Sequence, residues 1–301
     1  MTVFSEDRVA ILAFGGQLPQ ECVDLLKNRH EIYLLGIDGI ADRSLIEQAD
    51  GVFSFYDLGG IFSALKDLRV EKVMIVGVMK RPPLSVLIKA FGAFRSVPEL
   101  KTLFESGDDN LLRGVIRLFE ERGFQMCGID SLAPELLVEE GVLSQKIPSK
   151  EQTAMGFLGL ACLDALSSFD VGQAVIVRDQ RILGIEGVRG TDALLRSFCP
   201  VHWKRLWHSK AYLARGGVLV KTSKRGQDMR LDMATIGPKT VRYVARSGLS
   251  GIVLGASRTL IVDRKETLRE ANRRNIVIFG LNEESLCVCS GTINNHYAEN
   301  A

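Results

Sequence analysis

The chain has 301 residues, 46% of them hydrophobic, and a formal net charge of +2 at pH 7. That length suggests two domains, and the apolar content is ample for packed cores. The near-neutral balance does not mark a general nucleic-acid binder, and no apolar run approaches the ~18 residues of a membrane span.

In chain order, Val9–Phe14 is a short apolar run rich in β formers, entered almost directly from the N-terminus without a signal-peptide layout. Gly15-Gly16 follows, then a helical pattern around Glu21–Lys27. Strands are predicted at Glu31–Leu35, Val52–Phe55 and Val73–Val78, with Gly59-Gly60 leading into a helix through Leu68. This alternation predicts a parallel sheet with helices on both faces. Asp108–Arg122 reads as an amphipathic helix: Asp108 is a candidate N-cap, Leu111, Leu112, Val115, Ile116 and Phe119 form the apolar stripe, and Gly123 ends it.

Residues 130–150 carry Pro134, Gly141 and Pro148 without sustained periodicity and read as a connection. Beyond them, Ala154–Leu166 predicts a helix, and Ala174–Arg178 with Arg181–Glu186 a hairpin turning at Asp179-Gln180. A helix should open near Thr191-Asp192. Further strands are expected at Gly217–Lys221, Gly251–Leu254 and Ile276–Phe279, and further helices at Pro238–Ser247 and Lys265–Arg274. The fold class is therefore α/β: a Rossmann-like N-terminal domain with a mainly parallel sheet over 1–130, a linker over 131–150, a second mixed α/β domain over 151–290, and a tail over 291–301.

The six cysteines, at 22, 127, 162, 199, 287 and 289, form no CxxC pair and no disulfide framework. They read as reduced thiols in a cytoplasmic protein. The four histidines are scattered, so a dedicated Cys/His metal site is not expected.

Chemistry concentrates in Gly216–Thr240. From His202 to Arg230 there are eight Lys or Arg residues and one acid, Asp228. A solvated basic face is the usual cause of such a run. Here it leads from Lys221, Lys224 and Arg225 straight into the alternating stretch Gln227-Asp228-Met229-Arg230-Leu231-Asp232-Met233. As a strand or as a helix, this stretch places Asp228 and Asp232 on one side. Two hard oxygen ligands there suit Mg²⁺ or Mn²⁺ carrying phosphates, and Arg230 could clamp a phosphate oxygen. A salt-bridged edge strand is the plain alternative. A second cluster is Glu186-Gly187-Val188-Arg189-Gly190-Thr191-Asp192, where a carboxylate closes an apolar strand and a helix N-terminus follows. Thr191 or Asp192 could instead merely cap that helix. Gly15, Gly16 and Gln17 follow the first strand in a glycine-rich turn without GxGxxG spacing, and Asp38 falls where a ribose-binding acid would sit. Lys80 and Arg81 follow the fourth predicted strand, at the end where open α/β sheets bind ligands.

These blocks together resemble the LpxI family, the UDP-2,3-diacylglucosamine pyrophosphatases of lipid A biosynthesis. The likeness runs along nearly the whole chain: GGQLP at Gly15, Arg81-Pro82, GDDNLLR from Gly107, DVGQAVIV from Asp170, IEGVRGTDALLR from Ile185, GGVLVKTSKRGQDMRLDMATIG from Gly216 and SGLSGIVLGASRTLIVDR from Ser247. The resemblance implies two α/β domains and Mg²⁺-dependent hydrolysis of UDP-2,3-diacylglucosamine to 2,3-diacylglucosamine 1-phosphate (lipid X) and UMP. Water is expected to attack the β-phosphorus. The family's essential aspartate, in the RxD element before TIG, maps onto Asp232. Some members carry Glu at the position of Asp228. The residue before Thr235 is usually proline and is Ala234 here, which loosens a turn and removes no functional group.

The resulting expectation assigns Asp232, Asp228 and Glu186 to the metal, and Lys221, Lys224 and Arg230 to the charge that develops on UMP. It assigns Gly15, Gly16, Gln17, Lys80, Arg81, Gly190, Thr191, Asp192, Gln227 and Thr235 to the substrate. A lipid substrate also implies peripheral contact with the inner-membrane surface; a homodimer is compatible with the pattern, and no nucleic acid is expected. An NAD(P)-binding oxidoreductase is disfavoured by the absent GxGxxG. A non-catalytic UDP-sugar or lipid-binding module is disfavoured by the crowding of charges around Asp232.

Overall fold

The computed structural model describes residues 7–78, 108–169, 171–199 and 215–282. They fall into two compact units. One comprises residues up to Pro134 together with Asp228–Asp232; the other comprises Glu135–Gln227 and Met233 onward.

In the first unit, β1 (Arg8–Ala13), β2 (Glu31–Ile37), β3 (Gly51–Phe53), β4 (Lys72–Val76) and β5 (Gln125–Met126) form one sheet in the order β3-β2-β1-β4-β5. Every neighbouring pair is parallel. This is a Rossmann-like order. After Arg8, strand β1 is an unbroken apolar run because helices cover both faces of such a sheet. The helices are α1 (Leu18–Leu26), α2 (Arg43–Ile46), α3 (Leu58–Asp67), α4 (Asp108–Glu120) and α5 (Ile129–Leu132). Ile61, Phe62 and Leu65 of α3 and Ile116, Leu118 and Phe119 of α4 pack on Ala10, Leu12, Leu35, Ile37 and Val73. The rings of Phe62 and Phe119 meet edge to face at 4.9 Å.

The second unit has a six-stranded sheet of β6 (Gly141–Val142), β7 (Ala174–Arg178), β8 (Arg181–Ile185), β9 (Val218–Lys221), β11 (Gly251–Gly255) and β13 (Val277–Leu281). The order is β6-β13-β11-β9-β7-β8. Its centre, β13-β11-β9, is parallel; β7 runs antiparallel to β9, and β8 to β7. A separate parallel pair joins β10 (Ala234–Ile236) to β12 (Thr259–Ile261). Strand alternation sorts the sheet into two faces. Val175, Val177, Val218, Val220, Val253 and Val277 pack under Met155, Leu160 and Leu163 of α6 (Lys150–Leu166). Ile176, Leu219, Ile252, Leu254 and Ile278 pack under α7 (Gly190–Phe198), α8 (Pro238–Arg246) and α9 (Arg264–Arg273).

The stretch Asp228–Met233 differs from both conformations expected for it. It is a single irregular turn, with Leu231 and Asp232 N–H groups reaching the Asp228 carbonyl at 3.5 Å. The physical reason is local: the Asp228 carboxylate accepts the Arg230 backbone N–H at 3.1 Å, competing with any strand or helix ladder.

Candidate active site

The second unit builds a polar cluster at the carboxyl ends of β8 and β9, which point the same way because each lies antiparallel to β7 between them. Lys221 is the last residue of β9, and Glu186 directly follows β8. Both side chains are buried, at 7% and 8% exposure. The Lys221 ammonium donates to the Thr191 hydroxyl at 2.6 Å, and that hydroxyl donates to Glu186 Oε1 at 3.0 Å. Among the described residues Thr191 is the ammonium's one hydrogen-bond partner. Two of its three N–H groups are therefore without a protein partner there. A buried cation so placed at strand ends is a ready counter-charge for an anion.

Glu186 is fixed twice more. Its Oε2 accepts the Gln173 backbone N–H at 3.1 Å, and its own N–H donates to the Ala174 carbonyl at 2.8 Å. A Cβ on Gly172 would lie 2.5 Å from Glu186 Cβ, so only glycine admits this approach. Gly190 opens α7 at φ +77°, and Arg189 is the cap residue with no side-chain cap bond. Thr191 thus does not cap the helix; its hydroxyl is spent on the Lys221–Glu186 link. Asp192 pairs with Lys239 of α8 at 2.5 Å.

Gln227 folds back on the same loop. Its side-chain oxygen accepts the Lys224 backbone N–H at 3.1 Å and the Gln173 amide at 3.0 Å. Gln173 is the member of this cluster that sequence reasoning missed. A polar residue one position before the apolar run Ala174–Val177 was the available signal. Ser223, 1% exposed and two positions past Lys221, donates to the Arg258 carbonyl at 2.8 Å and accepts the Ala234 N–H at 2.8 Å. Ser223 thereby ties the exit of β9 to the entry of β10. Thr235, in β10, turns its hydroxyl onto the Met233 carbonyl at 2.9 Å.

In the first unit, Asp228 and Arg230 form a fork: Nε to Oδ1 at 2.8 Å and NH2 to Oδ2 at 2.7 Å. Arg230 also reaches Glu120 of α4 at 2.7 Å. The guanidinium's hydrogen bonds hold the Asp228 carboxyl below the usual aspartate range, and the same bond holds Arg230 in its charged form. Leu231 packs against the first unit's core. Gly128 leaves room for the turn, since a Cβ there would lie 3.0 Å from Arg230 Cα.

The loop after β1 is held by its own acid. Gly16, at φ +95°, donates its N–H to Asp42 Oδ2 at 3.0 Å. Gly15 bridges Val78, and the exposed Gln17 precedes α1 without a side-chain cap bond. Asp38 is exposed just past β2. Lys80 and Arg81 lie outside the described residues.

Of the carboxylates expected at the metal, Asp228 and Asp232 belong to the first unit and Glu186 to the second. Among the described residues no three of His, Cys, Asp and Glu gather closely enough to hold a metal ion. Both Asp228 oxygens are engaged by Arg230, and both Glu186 oxygens by Thr191 and Gln173.

The LpxI N-terminal domain matches residues 8–136 and the LpxI C-terminal domain residues 139–279. A Caulobacter vibrioides protein named UDP-2,3-diacylglucosamine pyrophosphatase LpxI is 30% identical over 278 residues, covering 92% of this chain and 98% of the relative. With both domains matched in order along the strands and loops described above, the chain belongs to the LpxI family.

Proposed function

We propose that this chain hydrolyses the pyrophosphate of UDP-2,3-diacylglucosamine, releasing lipid X and UMP. The observation that carries the reading is the buried Lys221–Thr191–Glu186 link at the carboxyl ends of β8 and β9. The named activity of the Caulobacter relative supports it. In the proposed reaction the water oxygen bonds to the β-phosphorus, the bond from that phosphorus to the bridging oxygen breaks, and UMP departs with the electron pair. Lys221 offsets the charge developing on the pyrophosphate, an effect strengthened by its burial. Glu186, through Thr191, fixes where the ammonium points. Asp232 is the carboxylate expected to be essential, and Lys224 and Arg230 add positive charge to the same stretch of chain. Dependence on Mg²⁺ or Mn²⁺ is part of the proposal as a requirement to be measured.

The test is hydrolysis of UDP-2,3-diacylglucosamine in ¹⁸O-labelled water with Mg²⁺, with and without EDTA. UMP release with the label in lipid X is expected, and EDTA should stop it. Label in UMP would overturn attack at the β-phosphorus. No turnover would overturn the enzyme reading in favour of a binding module.

A further inference from the structure

The chain's net charge of +2 hides a strong local excess. Helices α7, α8 and α9 cover one face of the second unit's sheet, with α8 packed on both others. Their inner sides are apolar; their outer sides are basic. On α8 the buried Val241 and Val244 face the core, while Lys239, Arg242 and Arg246, at one helical face, are exposed and the helix carries no acid. Arg269 and Arg273 of α9 and Arg196 of α7 are also exposed.

These cations form one surface. The Tyr243 ring lies between Lys239, at 5.9 Å, and Arg196, at 6.0 Å. Arg242 and Arg273 meet the same buried Glu270, at 3.8 and 2.7 Å. The acids of these helices are spent internally: Asp192 on Lys239, Glu266 on Arg269 and Glu270 on its arginines. Arg189 and Arg196 line a shared hollow of about 540 Å³ with Ala193 and Ser197. Beside Arg189, Val188 is 91% exposed, an apolar tip on the loop between Glu186 and α7.

We propose that this α7–α8–α9 face docks the protein on an anionic phospholipid surface, with the Val188 loop set against the lipid and the Glu186 cluster beside it. The inference rests on the proposed function for its choice of a lipid surface, since the acyl chains of that substrate reside in a bilayer. The basic charge itself does not depend on that reading. Basic residues near an anionic leaflet contribute roughly fivefold each to partitioning.

Cosedimentation of the full chain with vesicles tests it. One set mixes phosphatidylglycerol and phosphatidylcholine in equal parts; the other is phosphatidylcholine alone. Binding to the first set only is expected, with loss at high salt. The variant Arg242→Gln/Arg246→Gln/Arg269→Gln should bind about 100-fold more weakly. A variant with the same charge change in the first unit, Lys27→Gln/Arg43→Gln/Lys66→Gln, should bind within about fivefold of wild type. Equal loss in both variants would overturn the proposal as a net-charge effect. Absence of vesicle binding, equal binding to both vesicle sets, or tighter binding to a single-stranded oligonucleotide would also overturn it. Turnover of detergent-dispersed substrate separates the two readings. Its retention in the α8–α9 variant, with vesicle binding lost, supports a docking role; its absence in wild type sinks the proposed function while vesicle binding stands.

Discussion

Lys221 and Thr191 meet at 2.6 Å although 30 residues separate them, and the contact is made because β9 and the start of α7 end at the same edge of one sheet. A buried ammonium carries a desolvation cost that a single hydroxyl offsets only in part.

Lys221→Met therefore has two expected effects. Turnover should fall by about 10² to 10³, the scale of removing one preorganised charge-stabilising donor. Thermal stability should also fall, because the buried Glu186 carboxylate loses the counter-charge it shares through Thr191. Thr191→Val should lower kcat with little change in KM, and Thr191→Ser should restore it. Steady-state kinetics with melting curves check all three. A variant that melts early yet turns over normally would make the link a folding device only.

Asp232→Ala is expected to keep substrate binding within about fivefold and to lose turnover by at least about a hundredfold. Equilibrium binding of UDP-2,3-diacylglucosamine beside single-turnover assays separates these. Hydrolysis at a near wild-type rate would remove Asp232 from the mechanism.

Much of the scaffold was legible in the sequence, because it depends on local pattern. The β7–β8 hairpin follows from two apolar runs meeting at Asp179, a residue that tolerates its φ of +53°. The parallel first sheet follows from its strand-helix rhythm. Strands β6, β10 and β12 were not legible: each has two or three residues and exists only through a distant partner, as Ala234 with Thr259. The site divides the same way. Glu186, Lys221 and Thr191 stood out by residue type at element ends. Gln173 did not, since its role comes from Gln227, which lies 54 positions away. The turn at Asp228 was misread as a regular element because strict alternation of polar and apolar residues says nothing of a side chain that captures its own backbone.

That turn has a pH signature. Arg230 holds the folded-state Asp228 pKa below its ordinary value. A depressed carboxyl contributes stability that is present above the unfolded aspartate pKa and lost as pH falls through the folded value. Asp228→Asn should cost about 1 kcal/mol at neutral pH, and the difference from wild type should shrink as pH falls below the ordinary aspartate range and through the folded value. Chemical denaturation at a series of pH values reads this out. A pH-independent difference would assign the loss to packing. The partly exposed Arg230–Glu120 pair should show a coupling of only about 0.2–1 kcal/mol in a double-mutant cycle.

Gly159 sets how closely α6 lies on the sheet beneath it. A Cβ there would stand 2.4 Å from Val220 Cγ2 and 2.7 Å from Val220 Cβ. Val220 is the neighbour of Lys221 in β9, so the approach also positions the strand that carries the ammonium. Alanine would favour the helix by up to about 1 kcal/mol, but the overpacking should cost about 1–3 kcal/mol. The net expectation for Gly159→Ala is a melting temperature lower by several degrees, with turnover reduced as β9 shifts. Val220→Ala in the same chain removes the methyl contacts but leaves the Cβ contact at 2.7 Å, so it should restore stability only in part. Melting curves of the two single variants and the double decide the matter. A Gly159→Ala protein that melts at or above wild type would show that α6 can lift from the sheet without strain, and the position of Lys221 would then have to be held from the Thr191 side alone.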